Sequence, residues 1–399
     1  MMTVTTLLKE IADVGRDGVR GGYTRPVYSS AETELREWFR AAAHSRGLGV
    51  ETDRNGVIWA WWGEPQDGAL VTGSHLDSVP GGGAFDGPLG VASALSAIDH
   101  LRQRGVQPSR SIAAVVFPEE EGSRFGVACL GSRLMTGAID PDRARALTDA
   151  EGRTFADVAA ANGLDPAHIG HDPSGLARIG QFIELHVEQG RGLGQCGPSV
   201  AVGDSVLGHG RWRFLLSGQG NHAGTTLMED RRDPMIVAAK IILAVQRLAT
   251  STPQARATVG RILPVPGGTN VIASRVELWL DVRHPDDLVT ADLVQRINDA
   301  AAAAAAEEGC DCVLIEESLS PTVHLDPALR ARMALALPDG RVLDTGAGHD
   351  AAILAAVVPS GMLFTRNAEG ISHSPEEHVE DADAEAGAAV LADVLEALL

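Results

Sequence analysis

Eight side chains with metal-binding chemistry occur in short motifs of this sequence, each flanked by glycine or by further carboxylates. They are His75, Asp77 and Asp86 in GSHLDSVPGGGAFD, the glutamates Glu119–Glu121 in FPEEEGSRF, His186 in ELHVEQG, and His373 in ISHSPEE. Imidazole and carboxylate together suit zinc, manganese, cobalt or nickel. A carboxylate shared between two ions holds them about 3.5–4 Å apart. The pattern therefore predicts a hydrolytic site with two metal ions.

Individual roles follow from the chemistry of these residues. Asp86 is flanked by Gly83 and Gly87, which permit tight turns, and it is the natural bridge between two ions. Asp77 is placed to accept the second ring N–H of His75 and so to fix its tautomer. Among the adjacent glutamates, one can bind metal while its neighbour takes a proton from the attacking water and passes it to the leaving nitrogen.

Four further polar residues are candidates for substrate contacts. His222 in GQGNHAGTT can donate to a developing oxyanion, although it also suits a simple turn. Arg283 in LDVRH can grip a carboxylate with two hydrogen bonds or form a surface salt bridge. Asn270 in GGTNVIAS is a polar loop residue. Gln189, close to His186, can bind a substrate amide or serve as a structural amide.

Composition excludes several classes of function. The chain has 399 residues, 44% of them hydrophobic, with a net charge of −20 and a pI of about 5.0. That charge argues against binding to nucleic acid or to an anionic membrane, since both need clustered Lys and Arg. The N-terminus lacks the features of a signal peptide, and the four cysteines form no CxxC pair. We expect a cytoplasmic protein with reduced cysteines.

Other catalytic classes have little support in the sequence. No GxSxG motif and no Walker A motif occurs in it, and Gly81–Gly83 is not followed by the spacing of a dinucleotide-binding fingerprint. A serine hydrolase is therefore disfavoured.

Alternating strand-like and helix-like segments predict an α/β sheet covered on both faces. The first block contains helices over 31–46 and 89–104 and strands over 56–62, 69–73 and 111–117. His75 and the glutamate triplet follow two of these strands, and active groups of such sheets collect at the carboxyl ends of strands.

A second block over 209–320 has the order β-α-β-β-α-β, which is ferredoxin-like. Its predicted strands are 211–217, 256–263, 275–283 and 312–317, and its helices are 234–249 and 288–308. Because this block separates His186 from His373, the chain must leave the catalytic domain and return to it. We expect a discontinuous catalytic domain of residues 1–208 and 321–399 and an inserted domain of residues 209–320.

The motifs together resemble those of the M20 metallopeptidase-like amidohydrolases. The resemblance is to the branch that contains N-carbamoyl-L-amino acid hydrolases, allantoate amidohydrolases and β-ureidopropionases. It extends over nearly the whole chain and includes GNHAGTT, LDVRH, GAGHDA and RNAEGISHSPEE in family order. It implies two divalent ions per chain, zinc, manganese, cobalt or nickel, held by His75, Asp86, Glu121, His186 and His373.

The resemblance also implies catalytic roles. Glu120 is the implied general base and acid, anchored on the following GSRF, and it activates a water that bridges the metals. His222 is implied to stabilise the oxyanion. The implied substrate contacts come from Gln189, His222, Asn270 and Arg283, and His349 and Asp350 in GAGHDA are expected to line the site. The inserted domain is implied to act as a lid and to form a homodimer in which His222 reaches the partner's active site.

The function implied is hydrolysis of the ureido C–N bond of a small N-carbamoyl-L-amino acid, giving amino acid, carbon dioxide and ammonia. Arg283 and Asn270 would hold the α-carboxylate. Allantoate is the alternative substrate, and another N-acyl amino acid or a dipeptide is a third. A catalytically silent binding protein is disfavoured because no expected metal ligand or base is missing.

Overall fold

The structure is a computed structural model and describes residues 3–337 and 339–399. The chain forms two compact units. The first combines Met1–Val206 with His324–Leu399, and the second is Leu207–Val323. The mixed α/β class predicted from the sequence is confirmed.

The first unit is built on one mixed sheet with helices packed against it. Its strands are β1 (Gly49–Thr52), β2 (Ile58–Trp62), β3 (Ala69–His75), β4 (Ile112–Phe117), β5 (Ile179–Val187), β6 (Val200–Val206), β14 (Val342–Thr345) and β15 (Ser360–Thr365). Its helices are α1 (Val4–Glu10), α2 (Ser30–Ser45), α3 (Pro88–Gln103), α4 (Leu130–Thr136), α5 (Pro141–Arg145), α6 (Phe155–Ala161), α7 (Pro173–Arg178), α10 (Pro327–Ala334), α11 (Asp350–Leu354) and α12 (Asp381–Leu398). The short strand β13 (Val323–His324) marks the return of the chain to this unit.

The strand order in this sheet is β1-β2-β4-β3-β5-β15-β6, with β14 beside β6. Strands β4, β3, β5 and β15 are mutually parallel. Every residue of β3 and β4 is buried, as expected for parallel strands covered on both faces. Helix α3 is buried along most of its length and packs with α1 and α12 in the main core cluster.

Four parallel strands deliver the candidate metal ligands to one edge of the sheet. His75 is the last residue of β3, and His186 is the next-to-last residue of β5. The glutamate triplet follows β4, and His373 follows β15. Because β3 has β4 on one side and β5 on the other, this edge contains a topological switch point, where α/β sheets commonly bind ligands.

The second unit contains a four-stranded antiparallel sheet. Its longer elements are β7 (His209–Ser217), α8 (Pro234–Thr250), β9 (Arg256–Val265), β11 (Arg275–Arg283), α9 (Asp287–Glu307) and β12 (Asp311–Ser320). A separate two-stranded antiparallel sheet pairs β8 (Asn221–His222) with β10 (Val271–Ile272). The strand order is β12-β7-β11-β9. Both helices pack on the sheet in one hydrophobic cluster, and the order of the longer elements is β-α-β-β-α-β.

Most predicted elements occur in the structure with shifted ends. Strand β3 extends two residues beyond the predicted range, so His75 belongs to the strand and does not follow it. The alanine-rich tract of the second unit is the helix α9, in agreement with the high helix propensity of Ala. Within the described residues, no helix is both long enough and apolar enough to cross a lipid bilayer.

Candidate metal centre

The first candidate cluster consists of His75, Asp86 and His186, all buried. Asp86 Oδ1 lies 3.5 Å from His75 Nε2 and 3.3 Å from His186 Nε2. The two ring nitrogens are 3.4 Å apart. Three donor atoms thus converge on one small volume.

The second candidate cluster uses the other oxygen of the same carboxylate. His373 Nε2 lies 3.4 Å from Asp86 Oδ2 and 3.4 Å from Glu121 Oε2. Asp86 is therefore common to both clusters, as expected of a bridging ligand. The five residues brought together are those that the sequence predicts as metal ligands.

The donor set fits divalent metal ions. Burial opposes ionisation of Asp86, yet hydrogen bonds with His186 and His75 hold its pKa well below the ordinary value. Burial lowers the pKa of His75, but the charges of Glu120 and Asp86 outweigh it and raise that pKa well above normal. A cation in place of the imidazole protons would satisfy the same carboxylates, and each ring must lose its proton to bind it.

Glu120 belongs to neither cluster and lies beside the first. Its Oε2 is 3.7 Å from His75 Nε2, while its Oε1 accepts a hydrogen bond from Cys129 Sγ at 3.3 Å. Burial, together with the neighbouring Glu121 and Asp350 carboxylates, raises the pKa of Glu120 well above its usual range. A raised pKa favours the protonated carboxyl group, which a residue that delivers a proton to a leaving group needs.

The predicted contact between the Asp77 carboxylate and the His75 ring is wrong in detail. His75 Nδ1 lies 3.0 Å from the backbone oxygen of Asp77, whereas the nearest carboxylate oxygen of Asp77 is 3.7 Å away. The carbonyl is at hydrogen-bonding distance and the carboxylate is not. The ring tautomer is therefore fixed by the backbone of Asp77.

The Asp77 carboxylate instead holds the glutamate loop. It accepts the backbone N–H groups of Glu120 and Glu121, each at 3.1 Å. Glu119, the first glutamate of the triplet, points away from the clusters and accepts the backbone N–H groups of Arg124 at 3.0 Å and Phe125 at 2.6 Å. Two carboxylates thus fix the loop at both ends.

Gly87, directly after Asp86, is the N-cap residue of α3 and has a φ of 84° and a ψ of −59°. A Cβ atom at this position would lie 2.5 Å from the Cε1 atom of His75. Only glycine suits both this backbone conformation and this close approach. The other proposed turn glycine, Gly83, does not have a positive φ, so its requirement for glycine has another cause.

Gln189 directly contacts the shared carboxylate. Its Nε2 donates to Asp86 Oδ2 at 3.0 Å and to Ser372 Oγ at 2.9 Å. Its Oε1 is buried and has no hydrogen-bond partner among the described residues. That free acceptor is a suitable partner for an N–H group of a bound amide or ureide.

A further buried layer lies behind the first cluster. The ring of His349 is 4.5 Å from the ring of His186, and neither of its nitrogens has a hydrogen-bond partner within the described part of the chain. Burial and the neighbouring His186 hold the pKa of His349 well below normal, so the ring is neutral. Glu184 lies beside His186 and His349 in this layer. Its carboxylate accepts a hydrogen bond from Ser74 Oγ at 2.8 Å, and sequence reasoning did not anticipate this residue.

His222 and Asn270 lie together in the second unit, at the two-stranded sheet of β8 and β10. His222 is exposed and pairs with Val271, the residue after Asn270. The backbone of Ala223 donates to the Asn270 carbonyl at 3.0 Å. Both side chains therefore belong to the end of the sheet where Ser217 pairs with Arg275.

Arg283 lies at the opposite end of β11, where it pairs with His209. The nine residues of β11 extend about 27 Å, at roughly 3.4 Å per residue. Arg283 Nε contacts Asp281 Oδ1 at 2.8 Å. One chain therefore does not bring Asn270 and Arg283 to the same carboxylate, contrary to the joint grip expected from the sequence.

The second unit is entered and left at the Arg283 end of its sheet. Strand β7 begins there with His209, directly after the chain enters at Leu207. Strand β12 ends there with Ser320, which pairs with His209. The two-stranded sheet that contains His222 lies at the end remote from these connections.

Sequence reasoning missed two supporting residues, Cys129 and Glu377, because neither has a distinctive signal in the sequence. Cys129 follows the glutamate loop, but a lone cysteine gives no indication of the acidic side chain that it contacts. Glu377 stands in SHSPEE beside a second glutamate, and only the fold shows that it is the buried one.

The sequence pattern of peptidase family M20/M25/M40 matches residues 71–397. The chain belongs to this family. It is 36% identical over 391 residues to an N-carbamoyl-L-amino acid amidohydrolase of Geobacillus stearothermophilus, an alignment that covers 96% of this chain and 95% of the relative. It is 33% identical over 383 residues to an allantoate amidohydrolase of Escherichia coli K12, covering 94% and 92% of the two chains.

Solved structures show the same relationship. A hydantoinase/carbamoylase family amidase from Burkholderia multivorans superimposes with a TM-score of 0.86 at 32% identity, covering 98% of this chain and 96% of that one. The predicted M20 resemblance is thus confirmed over nearly the whole length of the chain.

Proposed function

We propose that this M20-family protein hydrolyses the ureido C–N bond of a small N-carbamoyl-L-amino acid. The observation that carries the proposal is the pair of ligand clusters sharing Asp86, with Glu120 adjacent to them. The similarity to an N-carbamoyl-L-amino acid amidohydrolase over 96% of the chain supports the substrate class.

Two divalent ions would be held by the five clustered residues, one by His75, Asp86 and His186 and one by Asp86, Glu121 and His373. Ions of this kind polarise a carbonyl group and make water a better nucleophile at neutral pH. Imidazole and carboxylate ligands admit zinc, manganese, cobalt and nickel.

Glu120 would move the protons of the reaction. Its Oε2 faces the first cluster, so it can take a proton from the attacking water and deliver it to the nitrogen that leaves. Attack on the carbamoyl carbon then breaks its bond to the amino acid nitrogen. The free amino acid departs, and the remaining carbamate decomposes to carbon dioxide and ammonia.

Substrate contacts would come from both units. Gln189 Oε1, buried beside Asp86, would accept an N–H of the ureido group. His222 would donate to the developing oxyanion. Arg283 would bind the α-carboxylate through two hydrogen bonds, which allows an acidic protein to bind an acid.

These contacts require two chains if they meet at one substrate. His222 and Asn270 lie at one end of β11 and Arg283 at the other. Arg283 lies at the end where the chain enters and leaves the second unit, and we assign it to the active site of its own chain. His222 and Asn270, at the remote end, would act in the active site of the partner.

The second unit offers a surface for such a homodimer. Helix α8 exposes the apolar side chains of Met235, Ile236, Ile242 and Leu243, whose spacing places them on one face. The neighbouring edge strand β9 exposes Ile262 and Leu263. An exposed apolar face beside an unpaired strand edge favours association with a second copy.

Mixing two inactive variants tests the division between chains. Glu120→Gln and His222→Ala subunits are unfolded, mixed and refolded together so that hybrid dimers form. If His222 acts in the partner's site, each hybrid regains one complete site, and random pairing restores about a quarter of wild-type activity.

The matched control replaces His222→Ala by Arg283→Ala. If Arg283 acts in its own chain, mixing this variant with Glu120→Gln restores no activity, because every site lacks one group. Recovery with Arg283→Ala, or none with His222→Ala, would overturn the assignment.

Allantoate is the second candidate substrate, supported by 33% identity to an allantoate amidohydrolase. It also carries a carboxylate and a ureido group, so the same residues would serve. Ammonia release by manganese-loaded protein, with N-carbamoyl-L-amino acids and allantoate compared side by side, distinguishes the two. Release from neither, with metal bound, would overturn the ureido assignment and favour another N-acyl amino acid or a dipeptide.

A further inference from the structure

Glu377 joins two segments of the candidate metal centre that are far apart in sequence. It is 4% exposed, and its Oε1 accepts the backbone N–H groups of Phe85 at 2.9 Å and Asp86 at 3.0 Å. Four residues earlier, the same segment carries His373, a ligand of the second cluster. One carboxylate therefore ties the segment of His373 to the backbone of the shared ligand.

The absence of a side chain at Gly83 makes room for the Glu377 carboxylate. A Cβ atom at Gly83 would lie 2.1 Å from Glu377 Oε1 and 2.6 Å from its Cβ. Since Gly83 does not have a positive φ, conformational freedom does not explain the glycine. Its lack of a side chain leaves the space that the Glu377 carboxylate occupies.

The surroundings of Glu377 are unusual for a purely structural carboxylate. Its Oε2 is buried without a hydrogen-bond partner in the described residues. No ion pair of Glu377 occurs among residues 3–337 and 339–399. Burying a carboxyl group with one oxygen unpartnered is unfavourable, so a fold would gain little by retaining it for packing alone.

We propose that Glu377 is a positioning residue for metal binding, which sets the Asp86 carboxylate at the correct distance from His373. The inference rests on the metal-dependent function proposed above. Glu377 belongs to neither of the two ligand clusters. It acts through the backbone of Asp86, and groups of this kind change metal affinity by about 10- to 100-fold when removed.

Manganese titration of metal-free protein tests the proposal without measuring turnover. Glu377→Ala leaves two backbone N–H groups without their acceptor, and we expect manganese affinity to fall at least tenfold. Glu377→Gln keeps an oxygen that can accept both hydrogen bonds, so we expect it to bind within about threefold of wild type. Glu376→Gln is the matched control, because Glu376 is the adjacent exposed glutamate.

A second route to the same contact covers the case in which Glu377→Ala does not fold. Gly83→Ala should displace the carboxylate and weaken manganese binding in the same direction. If it acts through Glu377, combining both substitutions should weaken binding no more than the stronger single change does.

The outcomes separate this inference from the proposed function. Wild-type protein that binds no manganese would refute the metal-dependent function itself. Wild-type protein that binds manganese, with equal affinity in Glu377→Ala and Gly83→Ala, would refute only the role of Glu377. Equal weakening by Glu377→Gln and Glu376→Gln would also refute it, because a loss of charge alone would then explain the effect.

Discussion

The carboxylate of Asp77 holds one end of the loop that carries Glu120 and Glu121. It is fully buried and accepts both backbone N–H groups at 3.1 Å. Hydrogen bonds to charged groups contribute about 1.5–3 kcal/mol each, so Asp77→Ala should lower the free energy of unfolding by about 3–6 kcal/mol. Asp77→Asn keeps one accepting oxygen, and its expected loss is about half as large.

The same substitutions should impair metal binding. Displacement of the loop moves Glu121 away from His373 and Glu120 away from the first cluster. We expect manganese affinity to fall about 10- to 100-fold in Asp77→Ala, the range found when groups that orient metal ligands are removed. Calorimetric titration measures the affinity, and denaturant unfolding of the metal-free protein measures the stability.

An exposed aspartate of the same unit provides the control. Asp67→Ala removes an equal charge at the surface and should leave both quantities within error. If metal-free Asp77→Ala unfolds within about 1 kcal/mol of wild type, the two hydrogen bonds do not stabilise the loop. A loss confined to metal affinity would instead indicate that Asp77 acts through His75, as the sequence first suggests.

Three other perturbations address the site and its support. Glu120→Gln should lower kcat about 10²- to 10⁴-fold, as expected for loss of a general base. Elemental analysis should find the metal content unchanged, and a loss of metal would contradict the assignment of Glu120 as the base. Gly87→Ala places a Cβ atom 2.5 Å from Cε1 of His75 and strains the backbone by about 1–3 kcal/mol. Because the substitution displaces a metal ligand, calorimetric titration should find weakened manganese binding. Against the effect of burial, hydrogen bonds from the backbone of Arg153 and the side chain of Arg124 lower the pKa of Asp149. The stability that Asp149 contributes is therefore present above its ordinary pKa and is lost as the pH falls below that pKa. The difference in Tm between wild type and Asp149→Asn should shrink as the pH is lowered, and a constant difference would exclude this linkage.

The elements of the second unit follow closely from sequence periodicity. The predicted range 275–283 coincides with β11, because alternating apolar residues mark a half-buried strand. The alanine tract equally predicts the helix α9, because Ala has the highest helix propensity. In the first unit, β3 and β4 read as short apolar runs, but their ends are less certain because burial on both faces removes the alternation.

The metal clusters could be anticipated because each ligand lies in a distinctive local motif. The roles of the Asp77 and Glu377 carboxylates could not, since both bind backbone N–H groups that no side-chain pattern reveals. The partners of Glu377 are 292 residues away for Phe85 and 291 for Asp86. Contacts of this kind become visible only once the strand order has brought β3 and the end of β15 to one edge.

The placement of Arg283 illustrates a different limit of sequence reasoning. Motif order suggests that Asn270 and Arg283 act side by side, but the direction of β11 separates them by most of the strand. All metal-ligand candidates belong to the first unit, and both of these substrate-contact candidates belong to the second. Metal binding and substrate binding should therefore be separable: Arg283→Lys should keep the manganese affinity of wild type and raise KM for the carboxylate substrate, because lysine cannot form the paired hydrogen bonds of a guanidinium group. If Arg283→Lys also weakened manganese binding, the metal centre would depend on the second unit. The assignment of metal binding to the first unit and of carboxylate binding to Arg283 in the second would then be wrong.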